Sequence, residues 1–204
     1  MSSYRAISHE ALVAALGERI SRVPGIARVA IDGPVCAAPH DLAAALVEPL
    51  RMLGRPVHLI RADTFWHDAS LRLEHGRQDV DSYLSWLDAA ALRREVLDAV
   101  VTSGRYLPSL RDPSTNRMTR EPARRAEPDS VLIVSGELLI GLGLPFDHTV
   151  HLAMSAAALT RRMPAELAWT LPAFEQYDVE VAPEQQADVV VRVNDPRHPA
   201  VVFN

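Results

Sequence analysis

Hydrophobic residues occur along the chain in two kinds of pattern, short uninterrupted runs and longer stretches with helical spacing. The short runs are bounded by glycine, proline or acidic residues, and they predict β-strands at residues 28–32, 56–60, 131–134, 147–154, 187–193 and 200–203. Apolar residues three and four apart predict helices at residues 8–23, 41–53, 81–101, 155–162 and 165–177. Strands that alternate with helices favour an α/β fold with a parallel sheet and right-handed crossovers.

Two stretches show no clear period. Residues 69–79 are polar and are predicted to be irregular, and residues 104–129 are rich in proline and arginine, which predicts a long loop or a weak hairpin. We interpret residues 1–27 as an N-terminal helix packed on the core and residues 28–204 as a single α/β domain.

Composition limits the classes of protein to which the chain can belong. With 204 residues, 48% hydrophobic and 23% charged, it is long enough for one compact soluble domain. A net charge of −5 without a basic stripe argues against nucleic acid as a partner, and no apolar run is long enough to span a membrane. The single cysteine, Cys36, is typical of a reducing compartment, so a cytoplasmic location is expected. Homo-oligomerisation stays open.

Residues 28–46 carry the most informative local pattern, a strand followed by a glycine turn and a helix. A phosphate-binding loop of the form G-x-x-x-x-G-K-[ST] is expected in this context. The eight residues that begin at Gly33 read GPVCAAPH. The first glycine is present, but Ala38 stands at the second glycine, Pro39 at the lysine and His40 at the hydroxyl residue.

This loop lacks the groups that hold the phosphates of a nucleotide. Such loops present backbone N–H groups and a lysine to the phosphates, and a hydroxyl to Mg²⁺. Pro39 has no N–H, and the chain contains no lysine, since all 21 basic residues are arginine. Asp41 adds a carboxylate at the start of the helix, and at an effective dielectric of about 20 its repulsion of a phosphate roughly 4 Å away costs on the order of 4 kcal/mol. We therefore expect ATP and Mg²⁺ to bind poorly.

Four stretches, in order along the chain, resemble the uridine kinase family of P-loop nucleoside kinases. IDGP at residues 31–34 matches the opening of the family's loop, and DTFW at 63–66 is similar to its D-x-F-Y motif. Residues 86–100 are similar to the helix that follows that motif, and FEQY at 174–177 with ADVVV at 187–191 resembles the closing helix and last core strand. The resemblance implies a P-loop NTPase-type parallel sheet flanked by helices in a three-layer sandwich.

The resemblance also implies an activity and the residues that carry it. Members of the family transfer phosphate from ATP, with Mg²⁺, to the 5′-hydroxyl of a nucleoside, and Asp63 stands where they carry the base. The alternative for Asp63 is a cap of the helix or loop that follows the strand. Phe65 and Trp66 either stack on a nucleobase or pack under the neighbouring loop. Arg117 stands at the arginine of the family's substrate-side hairpin, although a charged surface loop is the favoured interpretation of its segment. The candidates on the cofactor side are Gly33, Ala38, Pro39, His40, Arg161 and Arg162.

Two further departures from the family concern the metal and the lid. The strand at residues 131–134 runs into Ser135, where these kinases carry an acid before glycine, and a serine cannot hold a metal-bound water as a carboxylate does. Glu137, two residues further on, offers at best a partial replacement. Thirteen residues separate the pair Arg161 and Arg162 from Gln176, which leaves room only for a shortened lid. Since phosphoryl transfer depends on positioning, Mg²⁺ and cations, the pattern indicates a degenerate kinase.

Two other groups of residues admit a chemical and a structural interpretation. His67, Asp68, Glu74 and His75 match no familiar zinc spacing, so solvated loop side chains are favoured and no metal site is expected. Cys36 stands next to a helix N-terminus, where a thiol can be nucleophilic, but a small buried thiol is favoured because no partner is evident.

Three functions stay open on the sequence alone. The first is uridine kinase-like phosphorylation of a nucleoside or similar hydroxyl, with impaired or lost use of ATP. The second is a non-catalytic pseudokinase that binds a nucleoside-like small molecule or acts as a regulator. The third is an enzyme of different chemistry that uses the same cleft.

Overall fold

A seven-stranded sheet lies at the centre of the molecule, in a computed structural model that describes residues 4–204. Its strands, together with a separate two-stranded hairpin, are β1 (Arg5–Ala6), β2 (Ala27–Asp32), β3 (Val57–Arg61), β4 (Arg105–Tyr106), β5 (Arg124–Arg125), β6 (Val131–Gly136), β7 (His148–Ala153), β8 (Val189–Arg192) and β9 (Ala200–Phe203). The order across the sheet is β1-β9-β8-β7-β2-β6-β3, and β4 pairs with β5 in the hairpin.

The five central strands run parallel to one another. β2 pairs with β6 and β7, β3 pairs with β6, and β7 pairs with β8, all in parallel. β9 is antiparallel to β8, and β1 is antiparallel to β9. The sheet is therefore mostly parallel, as expected, with an antiparallel edge formed by β9 and β1. The short connection from β8 to β9 allows an antiparallel return, whereas a parallel crossover needs a dozen or more residues.

Helices lie between the strands in chain order. They are α1 (His9–Ser21), α2 (Pro39–Ala45), α3 (Val47–Met52), α4 (Ala69–Arg72), α5 (Val80–Tyr83), α6 (Ala89–Leu92), α7 (Ala99–Ser103), α8 (Ala156–Arg162), α9 (Leu171–Glu180) and α10 (Pro183–Gln186). A π-helical segment (Arg93–Asp98) joins α6 to α7, and 3₁₀ turns cover Val35–Ala37, Ala62–Phe65 and Ala165–Thr170.

The helices cover both faces of the sheet, which gives three layers. On one face α1, α2 and α3 pack on the side chains of alternate positions in β2, β6, β7 and β8. On the other face the helix from α6 to α7 packs on β2, β3 and β6, while α8 and α9 pack near β8 and β9. Residues from α1 and the core strands share one buried cluster, so the N-terminal helix contributes to the main core.

Most of the elements predicted from periodicity are present. The six predicted strands appear with ends within two residues of those expected. The helix predicted at residues 41–53 divides after Leu46, because Pro49 has no N–H to continue the ladder. The helix predicted at 81–101 also divides, into α5 and the longer helix that begins at Ala89. The stretch at 69–79 contains the short α4, and 104–129 contains the hairpin.

No helix within residues 4–204 has both the length and the hydropathy needed to cross a bilayer.

Candidate functional site

The candidate site lies at the carboxyl ends of the central strands. β2 is flanked by β6 on one side and β7 on the other, so the order of the parallel strands reverses there. Ligands bind to open α/β sheets at such a switch point. Segments that follow β2, β3 and β6 line a common cleft with a volume of about 140 Å³.

The loop after β2 has a tight and specific conformation. Gly33 is required there, because a Cβ at this position would lie 2.8 Å from the Cβ of Leu152. A 3₁₀ turn follows over Val35–Ala37, and Ala38 has a left-handed φ of 59°. That conformation costs a residue with a Cβ roughly 1 kcal/mol. Pro39 is then the first residue of α2.

Several N–H groups of the loop are already bonded inside the protein. Gly33 donates to the carbonyl of Gly136 at 3.0 Å, and Ala38 donates to the carbonyl of Val35 at 3.0 Å. Val35 donates to Oε1 of Glu137 at 2.6 Å. The side chain of Glu137 thus accepts a hydrogen bond from an N–H group that a phosphate-binding loop would offer to an anion. The loop is built to bond internally.

Glu137 is held at the border of the cleft and the loop. Its Oε2 accepts a hydrogen bond from the hydroxyl of Tyr83, on α5. Burial raises the pKa of Glu137, although the hydrogen bonds from Tyr83 and Val35 act in the opposite direction. Burial, followed by the charge of Glu137, also raises the pKa of Tyr83. This carboxyl group therefore connects the loop to the wall of the cleft.

His40 and Ser135 stand where the family pattern has the hydroxyl and the acid that hold Mg²⁺. His40 Nδ1 lies 2.7 Å from Ser135 Oγ, so the two side chains share a hydrogen bond. Burial, followed by the positive charge of Arg61, lowers the pKa of His40. Mg²⁺ prefers carboxylate, phosphate and water oxygens in octahedral geometry, and this pair supplies no carboxylate. No group of three or more His, Cys, Asp and Glu within residues 4–204 has the arrangement of a metal site.

The residues of the loop do not fit ATP and Mg²⁺. Pro39 has no backbone N–H to offer to a phosphate, and Ala38 has a Cβ where the family pattern has a glycine. The N–H of Val35 already donates to Glu137. The chain has no lysine to reach the outer phosphates. We therefore assign no step of a reaction to a bound triphosphate.

Asp63 lies in the cleft beyond the end of β3. Both of its carboxylate oxygens accept from Arg61, at 3.1 Å from Nε to Oδ1 and 2.6 Å from Nη2 to Oδ2. The side chain of Asp63 is 16% exposed and that of Arg61 is 56% exposed, so the pair faces the opening. The hydrogen bond from Arg61 to Asp63 raises the pKa of the guanidinium. A bidentate pair of this kind orients the carboxylate toward the cleft.

Aromatic side chains form the opposite wall. Trp66 and Trp86 line the cleft with ring centroids 5.2 Å apart, and Tyr83 lies 4.9 Å from Trp86, both in edge-to-face geometry. Trp169, from the 3₁₀ turn between α8 and α9, packs on Tyr83 at 5.3 Å. The short segment in the place of a lid therefore packs onto the aromatic wall, and its Leu167 also lines the cleft. This wall offers apolar, π-rich surface to a planar ligand.

The structure brings some of the sequence candidates together and separates others. Asp63, Trp66, Pro39 and His40 line the same cleft. Phe65 is fully buried in the core, which is the packing alternative and leaves no ring face for stacking.

The arginine candidates lie outside the residues that line the cleft. Arg117 is exposed in the loop between Arg111 and Met118, which form an isolated bridge. Arg161 is exposed on α8, and Arg162 donates to the backbone carbonyls of Cys36 and Val193. Their roles toward a ligand stay predictions.

Cys36 is half-buried, with its Sγ 3.6 Å from the Sδ of Met154. Burial raises the pKa of this thiol, in agreement with the structural interpretation of the cysteine.

A second buried polar cluster lies behind the loop and was not evident from the sequence. Asp32, at the end of β2, is 0% exposed. Its Oδ1 accepts from the N–H of Leu139, and its Oδ2 accepts from Nδ1 of His151 at 2.7 Å and from the hydroxyl of Tyr177 at 3.0 Å. The acid that follows the apolar residues of β2 was the only signal of this cluster in the sequence.

Comparison with known proteins shows the fold. Neither the protein-family models nor the curated proteins contain a match to this chain. Among solved structures, a possible uridine kinase from Bacillus stearothermophilus is similar with a TM-score of 0.71 and 21% identity, covering 87% of this chain and 96% of that one. A candidate fructose transport system kinase from Silicibacter sp. TM1040 has a TM-score of 0.55 and 19% identity, covering 80% and 94%. The YGR205w protein has a TM-score of 0.58 and 8% identity, covering 97% and 99%.

These similarities confirm the fold expected from the sequence, a uridine kinase-like P-loop kinase fold with three layers. At identities of 8 to 21%, they describe the fold and not the reaction.

Proposed function

We propose that this protein binds a nucleoside-like small molecule in the cleft between Asp63 and the aromatic wall, and that it does not use ATP efficiently. It would then be a pseudokinase with the acceptor side of a nucleoside kinase and without a working donor side. The carboxylate of Asp63 and the indole of Trp66 both line the cleft, so one ligand could contact both.

One observation carries the proposal, the hydrogen bond from the N–H of Val35 to Glu137. Donors in a phosphate-binding loop must be free to bind an anion, and here an internal carboxylate has taken one of them. The His40–Ser135 hydrogen bond supports the same conclusion, because it joins two groups that would need to face Mg²⁺.

The chemistry of the cleft suits a ligand with a planar ring and hydroxyl groups. Trp66 and Trp86 present apolar π-surface, and stacking on such surface is worth about 1–3 kcal/mol per base. Asp63 supplies acceptors for hydroxyl groups, and Arg61 holds it in place. Glu137 adds a further polar group at the loop side.

Residual kinase activity is the second candidate, and the position of Asp63 favours it. The carboxylate lies at the end of β3, where a base for a substrate hydroxyl is needed, and it is partly exposed to the cleft. In that case a nucleoside would be phosphorylated slowly in the presence of ATP and Mg²⁺. A phosphorylation assay with uridine or cytidine distinguishes this candidate from pure binding.

Isothermal titration of the full chain with uridine and with cytidine tests the proposal. We expect measurable heat for at least one of them, and a loss of affinity of at least about tenfold for Trp66→Leu, since stacking on the indole is removed. Arg51→Gln is the matched control, because Arg51 is exposed on α3 and does not line the cleft, and its affinity is expected to equal that of the wild type. Absence of heat with both nucleosides would contradict the proposal.

A further inference from the structure

Arg72 is a buried arginine without a carboxylate partner. Its residue surface is 7% exposed, and its Nε donates to the backbone carbonyl of His67 at 2.8 Å. No acidic oxygen of the described residues 4–204 lies within ion-pair distance of its guanidinium. Buried charges in proteins are ordinarily paired, so an arginine left in this state points to a partner from outside the chain.

The surroundings of Arg72 hold it rigidly and add positive charge. Its guanidinium lies over the rings of Trp66 and Trp86, at 5.1 and 4.8 Å from their centroids. Arg111 lies nearby, and its buried Nε has no hydrogen-bond partner. Burial, followed by the charge of Arg111, lowers the pKa of Arg72. The stacked guanidinium is therefore pre-organised, which is the condition for strong binding of an oxyanion.

The charges at this place do not balance. Asp68 is the acid at this cluster, and its Oδ2 lies 3.0 Å from Nη1 of Arg111. The side chain of Asp68 is 42% exposed, so it is partly hydrated and compensates for one arginine at most. Asp88 lies 3.8 Å from Nδ1 of His67, but no carboxylate among the described residues pairs with Arg72, so the positive charge of its guanidinium is left without a partner.

Arg72 also lines an open cavity. The cavity has a volume of about 190 Å³ and is bordered by His67, Leu71, Arg72 and Ser85. This cavity shares no lining residue with the cleft that contains Asp63. Trp66 and Trp86, which line the cleft and contact the guanidinium of Arg72, lie between the two. A ligand in this cavity would therefore be in contact with Arg72.

We propose that this cavity binds the phosphate group of a small molecule, with Arg72 as the cation that receives it and Arg111 as a second, supporting charge. Guanidinium groups bind phosphate through paired N–H donors, and an excess of positive charge matches a dianion. The site is separate from the cleft, so it stands or fails independently of the proposed nucleoside binding.

The tryptophans provide a direct readout for this site. The chain has three tryptophans, and Trp66 and Trp86 lie against the guanidinium of Arg72. Titration of the full chain with inorganic phosphate, at constant ionic strength set with chloride, is expected to change tryptophan fluorescence in a saturable manner. Arg72→Met keeps much of the packing and is expected to abolish the change, whereas Arg77→Met, at an exposed arginine of the same segment, is expected to leave it intact.

A second variant keeps the test decisive if Arg72→Met does not fold. Asp68→Asn removes the competing negative charge while its side-chain oxygen still caps α4, and it is expected to tighten phosphate binding by about threefold. A fluorescence change that does not saturate, that chloride produces equally, or that persists in folded Arg72→Met would overturn the proposal. So would an Asp68→Asn variant whose phosphate affinity does not increase.

Discussion

Glu137 connects two parts of the molecule that are far apart along the sequence. Its carboxyl group accepts from Val35 in the loop and from Tyr83 on the wall of the cleft. The residue is two positions beyond the place of the family's metal-binding acid. Its role in the structure is to hold the loop in a closed, internally bonded conformation, which is different from coordination of Mg²⁺.

At the same scale, the buried Asp32 predicts a measurable effect on stability. Tyr177→Phe removes a hydrogen bond to Asp32 and leaves the N–H of Ile140 without its acceptor. An unsatisfied buried group costs about 1–3 kcal/mol, so the free energy of unfolding in urea is expected to fall by that amount. Tyr4→Phe is the control, because Tyr4 bonds to Glu184 at the surface, and a change of no more than about 0.5 kcal/mol is expected. Equal losses for the two variants would contradict this role of Asp32.

The lowered pKa of His40 predicts a dependence of stability on pH. Burial, then Arg61, lowers this pKa below its ordinary value of 6.5. A lowered folded-state pKa means that the unfolded chain binds the proton more readily, so His40 contributes stability above about pH 6.5 that is lost as the pH falls through its folded pKa. Urea unfolding between about pH 7.5 and about pH 5, an interval that spans the ordinary histidine pKa, should show a smaller loss of unfolding free energy for His40→Gln than for the wild type.

His9→Gln provides the control for that series, because His9 is an exposed residue at the start of α1. Its unfolding free energy is expected to follow the pH profile of the wild type. A profile for His40→Gln as steep as that of the wild type would show that the histidine does not carry the effect.

Among the elements, the loop from Gly33 to α2 is the one that we expect to limit nucleotide binding. The family residues are restored by Ala38→Gly, Pro39→Lys and His40→Thr. Glycine removes the Cβ at the left-handed position 38, and lysine supplies both a backbone N–H and a cation at position 39. Affinity for ATP–Mg²⁺, measured by titration calorimetry, is expected to rise by at least about tenfold, or about 1.4 kcal/mol.

The matched control for this loop carries Ala38→Gly, Pro39→Met and His40→Thr. Methionine restores the N–H and a long side chain without the charge, so its gain in affinity is expected to be smaller. If the lysine variant binds ATP no better than the wild type, the loop sequence does not account for the weak binding, and the bond from Val35 to Glu137 becomes the remaining explanation.

Across the whole molecule, local pattern was enough to predict the alternating strands and helices of an α/β fold, and the family resemblance supplied the expectation of three layers. The apolar runs of β6 and β8 are buried at almost every position, and such runs are typical of central parallel strands. The two-residue β1 has no detectable period, and it forms only because β9 lies beside it. The division of the helix before Ala89 coincides with the bridge between Trp66 and Leu87, which pairs residues distant in the sequence, and with Asp88 as the N-cap.

The candidate site was predictable where it follows from strand ends and motifs, as for Asp63 and Trp66. It was not predictable where it depends on pairs distant in the sequence. Val35 and Glu137 are 102 positions apart, and the hydrogen bond from Arg162 to the carbonyl of Cys36 spans 126 positions. Such pairs form through the packing of the sheet, and residue spacing along the chain carries no signal for them.

Titration of the wild-type chain with ATP–Mg²⁺ in a calorimeter measures directly whether the loop, which bonds several of its own N–H donors internally, can still bind a triphosphate. We expect a dissociation constant weaker than about 100 μM, which corresponds to about −5.5 kcal/mol. A dissociation constant tighter than about 100 μM, lost on addition of EDTA to remove Mg²⁺, would contradict the account.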